Sequence, residues 1–154
     1  MKLTVVAVGK IREAWVRDGI EEFAKRLSRF CTVSVVEVDD APESLTVDKA
    51  RAAEGKRMLA RIRADAFVVA LDPAGAACDS PGFAKKLEGW MEKGGAETVF
   101  LIGGSNGLAD EALARADERV SLSWMTFTHA MARLILLEQC YRAFKIRAGE
   151  KYHK

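Results

Sequence analysis

Residues 97–107 read Glu-Thr-Val-Phe-Leu-Ile-Gly-Gly-Ser-Asn-Gly. A β-branched, apolar run that stops at paired glycines predicts a strand, Glu97–Ile102, with a loop at its carboxyl end. Just upstream, Gly94-Gly95 ends a helix over Ser80–Lys93, for which Ser80 reads as N-cap and Pro81 as first helical residue. Just downstream, Ala109–Ala116 reads as a short helix. A strand between two helices is the unit from which parallel sheets are built.

The same alternation extends in both directions. Leu3–Val8, Val33–Val38, Ala66–Leu71 and Arg119–Ser123 read as further strands. Ala66–Leu71 is apolar throughout, as for a strand covered on both faces, whereas Val33–Val38 alternates, as nearer an edge. Ala14–Phe30 carries Trp15, Gly19, Phe23, Leu27 and Phe30 at helical spacing, and Val47–Arg63 carries Met58, Leu59 and Ile62. Thr128–Ile146 is the longest apolar helix, with Thr128 as a candidate N-cap. Five strands alternating with five helices predict a three-layer α/β sandwich with a mainly parallel sheet, in one domain over residues 1–154.

Composition narrows the function classes. The 154 residues hold 24 Lys+Arg against 22 Asp+Glu, a net charge of +2, with 49% apolar and 30% charged residues. That balance excludes disorder as a main theme and argues against a generally basic nucleic-acid coat. Such a length buries roughly 70% of the unfolded surface on folding, enough for a core without staples. Cys31, Cys78 and Cys140 form no CxxC and read as small buried hydrophobes. Two separated histidines and no thiol pair predict no metal site. No segment fits a signal peptide or a membrane span, so a cytoplasmic location is expected.

Ligands of open α/β sheets bind outside the carboxyl ends of the strands. Three such ends carry suggestive sequence: Leu71–Gly75, Ile102–Gly107 and Ser121–Thr128. The Gly-Gly-Ser-Asn-Gly loop is neither GxGxxG nor a P-loop, and suits an adenine-bearing ligand held by backbone groups better than a triphosphate. By itself it equally fits a plain strand-to-helix turn. Asp72 reads as a turn former. Segment 121–128 reads as a polar pocket wall or as an ordinary cap and loop.

The last helix repeats Ala130, Leu134, Leu137, Tyr141 and Phe144, and Met131, Ile135, Leu136 and Cys140 widen the apolar surface. Burial on several sides suggests a subunit interface, a two-fold dimer being the commonest, or else a central core helix. Glu138 and Arg142 stand four apart, as a helix ion pair or as a positioned arginine. Residues 142–154 carry five Lys/Arg and one acid, Glu150, for a net +4, which leaves −2 on residues 1–141. Phe144, Tyr152 and His153 lie among those cations. Cations attract phosphates and rings stack on unpaired bases, though a solvated terminus also fits.

These segments together, LIGGSNG (101–107), SLSWMTFTHAMAR (121–133), LEQCYRAFKI (137–146) and GEKYHK (149–154), resemble the RlmH family of bacterial SPOUT-class RNA methyltransferases. The resemblance runs from MKLTVVAVGK to KYHK. It implies a C-terminal trefoil knot, a homodimer, and S-adenosylmethionine as methyl donor. It implies methylation on ring nitrogen 3 of a pseudouridine in 23S ribosomal RNA of the large subunit. Carried over by position, Leu71, Gly103, Gly104 and residues 122–127 (Leu122, Ser123, Trp124, Met125, Thr126, Phe127) would line the donor pocket. Arg142, Tyr152 and His153 would serve the substrate nucleotide, contributed by the partner subunit. Ser105-Asn106 and Glu150-Lys151 depart from other members and leave local contacts open.

On this reading His153 is a candidate base for the ring nitrogen and Arg142 a candidate stabiliser of negative charge. Assembled ribosomal particles are expected to be better substrates than free RNA. The competing readings are a non-catalytic ribosome-binding factor that uses the basic tail, and a flavodoxin-like oxidoreductase, which the missing GxGxxG disfavours.

Overall fold

The computed structural model describes residues 1–95 and 97–154. Its elements are β1 (Lys2–Val8), α1 (Ala14–Leu27), β2 (Thr32–Val38), α2 (Val47–Leu59), β3 (Phe67–Ala77), α3 (Ser80–Lys93), β4 (Glu97–Ile102), α4 (Asp110–Arg115), β5 (Glu118–Ser121) and α5 (His129–Arg147). The five strands form one sheet in the order β2-β1-β4-β3-β5, and every pairing is parallel.

The strands are apolar on both faces because both are covered. Alternate residues of β1 and β4 face opposite ways. Leu3, Val5, Ala7, Phe100 and Ile102 pack with Leu27, Trp90, Leu137 and Phe144 from α1, α3 and α5. Val6, Val8, Val99 and Leu101 pack with Met58 and Ala112 from α2 and α4. The sheet is thus the middle of three layers, as expected. β2 lies at an edge, which explains its alternating and only half-buried pattern.

Several expected boundaries shift. α1 and α2 stop at Leu27 and Leu59 rather than at Phe30 and Arg63. Ser28 Oγ donates to Lys25 O at 2.6 Å and turns the chain out of α1. Trp15 leaves the expected apolar stripe and is 63% exposed. The N-cap of α3 is Asp79, not Ser80: its Oδ1 accepts from Gly82 N at 2.8 Å. β5 ends at Ser121, two residues early. β3 continues past Leu71, because residues 72–75 form an excursion between two pairings with β5. Leu71 and Ala76 both pair with Val120. The expected loop at 71–75 is therefore an interruption inside a strand, not a strand end.

α5 packs on α1, α3 and the sheet. Gly19 lets α1 come close, since a Cβ there would lie 2.9 Å from Leu134 Cδ1. Much of the apolar surface of α5 is thus buried within the chain, as in a core helix, while Met131, Leu134 and Ile135 stay partly exposed.

Candidate active site

The carboxyl ends of β1, β2, β4 and β5, together with the excursion within β3, open on one cavity of about 1360 Å³. Its walls are residues 9–13 after β1, 39–40 after β2, 71–73 within β3, 102–108 after β4 and 121–130 after β5. The position obeys the strand-end rule for open α/β sheets. Five strands at about 4.8 Å spacing make it roughly 19 Å across.

Each wall has a local cause. Gly104 O accepts from Gly107 N at 3.1 Å, closing a tight turn around Ser105-Asn106. Gly107 has φ +79°, which a side chain would oppose. A Cβ on Gly103 would come within 2.5 Å of the Gly107 backbone. The glycines are demanded first by the loop itself. Asp72 Oδ1 accepts from Ala74 N at 3.0 Å, the turn role expected of it, and bends the β3 excursion toward the cavity. In the third wall, Ser121 Oγ donates to Ser123 O and Ser123 Oγ accepts from Met125 N, each at 2.9 Å. Thr128 Oγ1 accepts from Met131 N at 3.2 Å and caps α5 as expected. This wall exposes Trp124 (94%) and Met125 (76%).

Leu71, Gly103, Gly104, Leu122, Ser123, Trp124, Met125, Thr126 and Phe127 all line this one cavity. Arg142, Tyr152 and His153 do not. They form a separate cluster on the far part of α5. Arg142 Nη2 donates to Glu138 Oε1 at 2.7 Å, and Tyr152 Oη donates to the same oxygen at 3.1 Å. The Arg142 guanidinium stands 4.8 Å from the centre of the Tyr152 ring, and Nη1 lies 3.3 Å from His153 Nδ1. Tyr152 also packs edge-on against Tyr141 at 5.0 Å. Burial, and then the Glu138 carboxylate, push its hydroxyl pKa up. The tail end is thus tied down rather than frayed. Thirteen residues of helix at 1.5 Å each separate Arg142 from His129 at the cavity, about 20 Å.

Two further polar residues carry structural roles: Arg133, which interrupts the apolar surface of the last helix, and Glu54, which the sequence did not single out. Arg133 is fully buried. Its Nη2 donates to Val8 O at 2.6 Å and Gly9 O at 2.8 Å, and Nη1 to Glu37 Oε1 at 2.9 Å. Glu54, 5% exposed, accepts from Ala41 N at 3.0 Å and lies beneath Gly104. An arginine within the apolar last helix and an acid within α2 were the available signals. Among the described residues, no cluster of three or more His, Cys, Asp or Glu could hold a metal ion, and no helix is long and apolar enough to cross a membrane.

A five-stranded parallel sheet with a large cavity at its strand ends defines an α/β ligand-binding enzyme scaffold, and the comparisons specify it. The family model described as "Predicted SPOUT methyltransferase" matches residues 1–153. Proteins named "Ribosomal RNA large subunit methyltransferase H" from Clostridioides difficile (strain 630) and Carboxydothermus hydrogenoformans are 46% and 48% identical, over 100% of both chains in each case. The fold is similar to a "probable methylase family protein" from Haemophilus influenzae Rd KW20, with TM-score 0.54 and 13% identity. It is also similar to a Legionella pneumophila protein solved in complex with the cofactor SAM, with TM-score 0.50 and 9% identity. These matches cover 96% and 94% of this chain, and 66% of each of those longer chains. The chain belongs to the ribosomal RNA large subunit methyltransferase H family of SPOUT methyltransferases.

Proposed function

We propose that this protein is an S-adenosylmethionine-dependent methyltransferase acting on N3 of a pseudouridine in 23S ribosomal RNA, on assembled ribosomal particles in the cytoplasm, as a homodimer. The single observation that carries the reading is convergence: nine residues from three separate loops, each expected at the donor, line one cavity. The lining fits the donor, because Leu71, Ile102 and Leu122 offer apolar surface to an adenosyl group between loops rich in backbone donors and acceptors. When bound, S-adenosylmethionine supplies a methyl group activated by its sulfonium. The C-terminal trefoil knot and the one-domain organisation belong to the same proposal.

The chain's residues divide the remaining work. Loops 102–108 and 121–128 hold and orient the donor and exclude water from it. The Arg142–Tyr152–His153 cluster, about 20 Å away along the same helix, serves the partner's cavity rather than its own. Exposed Trp124 and Met125 on the cavity rim supply apolar surface for the partner or the RNA to cover. Within the cluster, arginine can only donate, so His153 Nδ1 must accept from Arg142. That contact occupies the bare nitrogen a base would use. Arg142 is therefore favoured as the electrostatic stabiliser of a deprotonated ring imide, and His153 as its holder.

Titration calorimetry with S-adenosylmethionine is the first test, since a ribosome-binding factor without methyltransferase activity would show no heat of binding. The shared site is tested by mixing Gly103→Val and Arg142→Ala proteins, each inactive alone. Random exchange should restore about a quarter of wild-type turnover, because half the dimers then hold one intact site of two. No recovery would refute the shared site.

A further inference from the structure

The cavity has a second half that the donor-binding residues leave unused. In the strand order β2-β1-β4-β3-β5, the expected donor residues all follow or interrupt β4, β3 and β5. The remaining wall, over β1 and β2, includes Gly9–Glu13, Asp39, Asp40 and Arg51 of α2, and is closed by His129. At about 1360 Å³ the cavity exceeds the roughly 300–1,000 Å³ that a single small ligand needs. It has room for the donor and for a nucleotide beside it.

His129 has a defined role in that half. Its Nδ1 lies 3.2 Å from Arg133 Nη2. Nη2 has two N–H groups for three acceptors, Val8 O, Gly9 O and Nδ1, so one N–H is shared. Because Nη2 cannot accept, a proton on Nδ1 would set two donors face to face, and the bare nitrogen is the one that fits. Arg133 cannot turn away, because Val8 O and Gly9 O hold the same Nη2 and Glu37 holds Nη1. The neutral ring therefore carries its proton on Nε2. Burial first, and then the Arg133 charge, push the ring's pKa down, against the opposing pull of Glu13, Asp40 and Glu37. Among the described residues Nε2 has no hydrogen-bond partner. A half-buried ring at a cavity wall thus keeps one directed, uncharged N–H without a partner in the protein. The charges around it balance, Lys10, Arg12 and Arg51 against Glu13, Asp39 and Asp40. The wall is thus suited to reading a polar edge rather than to gripping a phosphate.

We infer that the half of the cavity over β1 and β2 receives the target nucleotide, and that His129, held by Arg133 as the Nε2–H tautomer, donates to a carbonyl oxygen of its pyrimidine ring. The inference rests on the donor-pocket reading above. His129 is a binding residue, and Arg133 is a positioning residue that acts through it. His129 is not the base, since its bare nitrogen faces a cation.

Three measurements on the full-length protein test this. Nitrogen-15 spectra report the tautomer, and with only two histidines in the chain, comparison with His129→Gln assigns the signal. Calorimetry reports S-adenosylmethionine affinity. Radiolabelled methyl transfer to unmethylated ribosomal particles reports turnover. A bare Nδ1 with protonated Nε2 is expected. His129→Phe should bind S-adenosylmethionine within about twofold of wild type and lose about tenfold in kcat/KM for particles, the worth of one hydrogen bond. His129→Gln, which keeps an N–H, should recover most of that loss. A protonated Nδ1 would overturn the inference. So would unchanged transfer by His129→Phe, or a loss of donor affinity that accounts for its loss of transfer. Failure of the wild-type protein to bind S-adenosylmethionine would instead overturn the donor reading, and the inference with it.

Discussion

Replacing Arg133 with methionine isolates what one buried cation does for this fold. Methionine fills a similar volume without donors, so no large cavity opens. Two carbonyls, Val8 O and Gly9 O, lose donors at 2.6 and 2.8 Å. Each buried acceptor left unpaired costs about 1–3 kcal/mol. Glu37 adds little, because its side chain is a third exposed and water replaces the guanidinium. Against this, the variant no longer buries a charge whose Nε has no partner, which returns part of the loss. The expected net destabilisation is about 2–4 kcal/mol. Urea unfolding followed by circular dichroism should show a lower midpoint with an unchanged slope. Arg133→Lys should recover little, since one ammonium cannot reach all four partners. A loss below about 0.5 kcal/mol for Arg133→Met would refute the reasoning, placing the site among ordinary surface positions.

Other consequences follow from packing and charge. A Cβ on Gly55 would lie 2.7 Å from Ala109 Cβ, while one on Gly89 meets nothing within 4 Å. Gly55→Ala should therefore destabilise by about 1–3 kcal/mol, and Gly89→Ala should stabilise by up to about 1 kcal/mol, by denaturant titration. Burial opposes ionisation of Glu97, but the Thr4 hydroxyl and Lys2 outweigh it and hold its pKa below the usual carboxylate value. Its ionised form thus stabilises the fold at neutral pH, and this contribution is lost as pH falls through the lowered pKa. Wild type should exceed Glu97→Gln in stability at pH 7, and the difference should shrink as pH falls through the lowered Glu97 pKa. Burial pushes the Cys31 thiol up to about 11 and Cys140 higher still, whereas Cys78 is only partly buried. A thiol reagent should label Cys78 first in the native protein, and Cys31 and Cys140 only on unfolding.

The cavity loops after β4 and β5 were legible because their signals are local. A glycine pair after an apolar strand, and a hydroxyl-rich run before a capped helix, mark strand ends wherever the sheet places them. Asp72 was legible as a turn former for the same reason. The excursion in β3 was not, since it depends on Leu71 and Ala76 sharing Val120 on a strand over forty residues away. Arg133 looked like a break in an apolar stripe. Its partners, Val8 and Gly9, lie 125 and 124 residues earlier. The stripe on α5 fitted a subunit interface or a core helix alike, and only the packing of α1 and α3 shows how much of it the chain covers itself.

Periodicity, capping and turn residues act over a few positions, and so the sequence alone determined the alternating elements, the three-layer class and the loops at the strand ends. Strand order is set by which faces can be buried together across the whole chain. Only the tertiary structure therefore gathered those loops around one cavity and held Arg142, Tyr152 and His153 in a cluster apart. The same packing brought the start of α5 to the end of β1, where a fully buried guanidinium decides which nitrogen of His129 carries the proton.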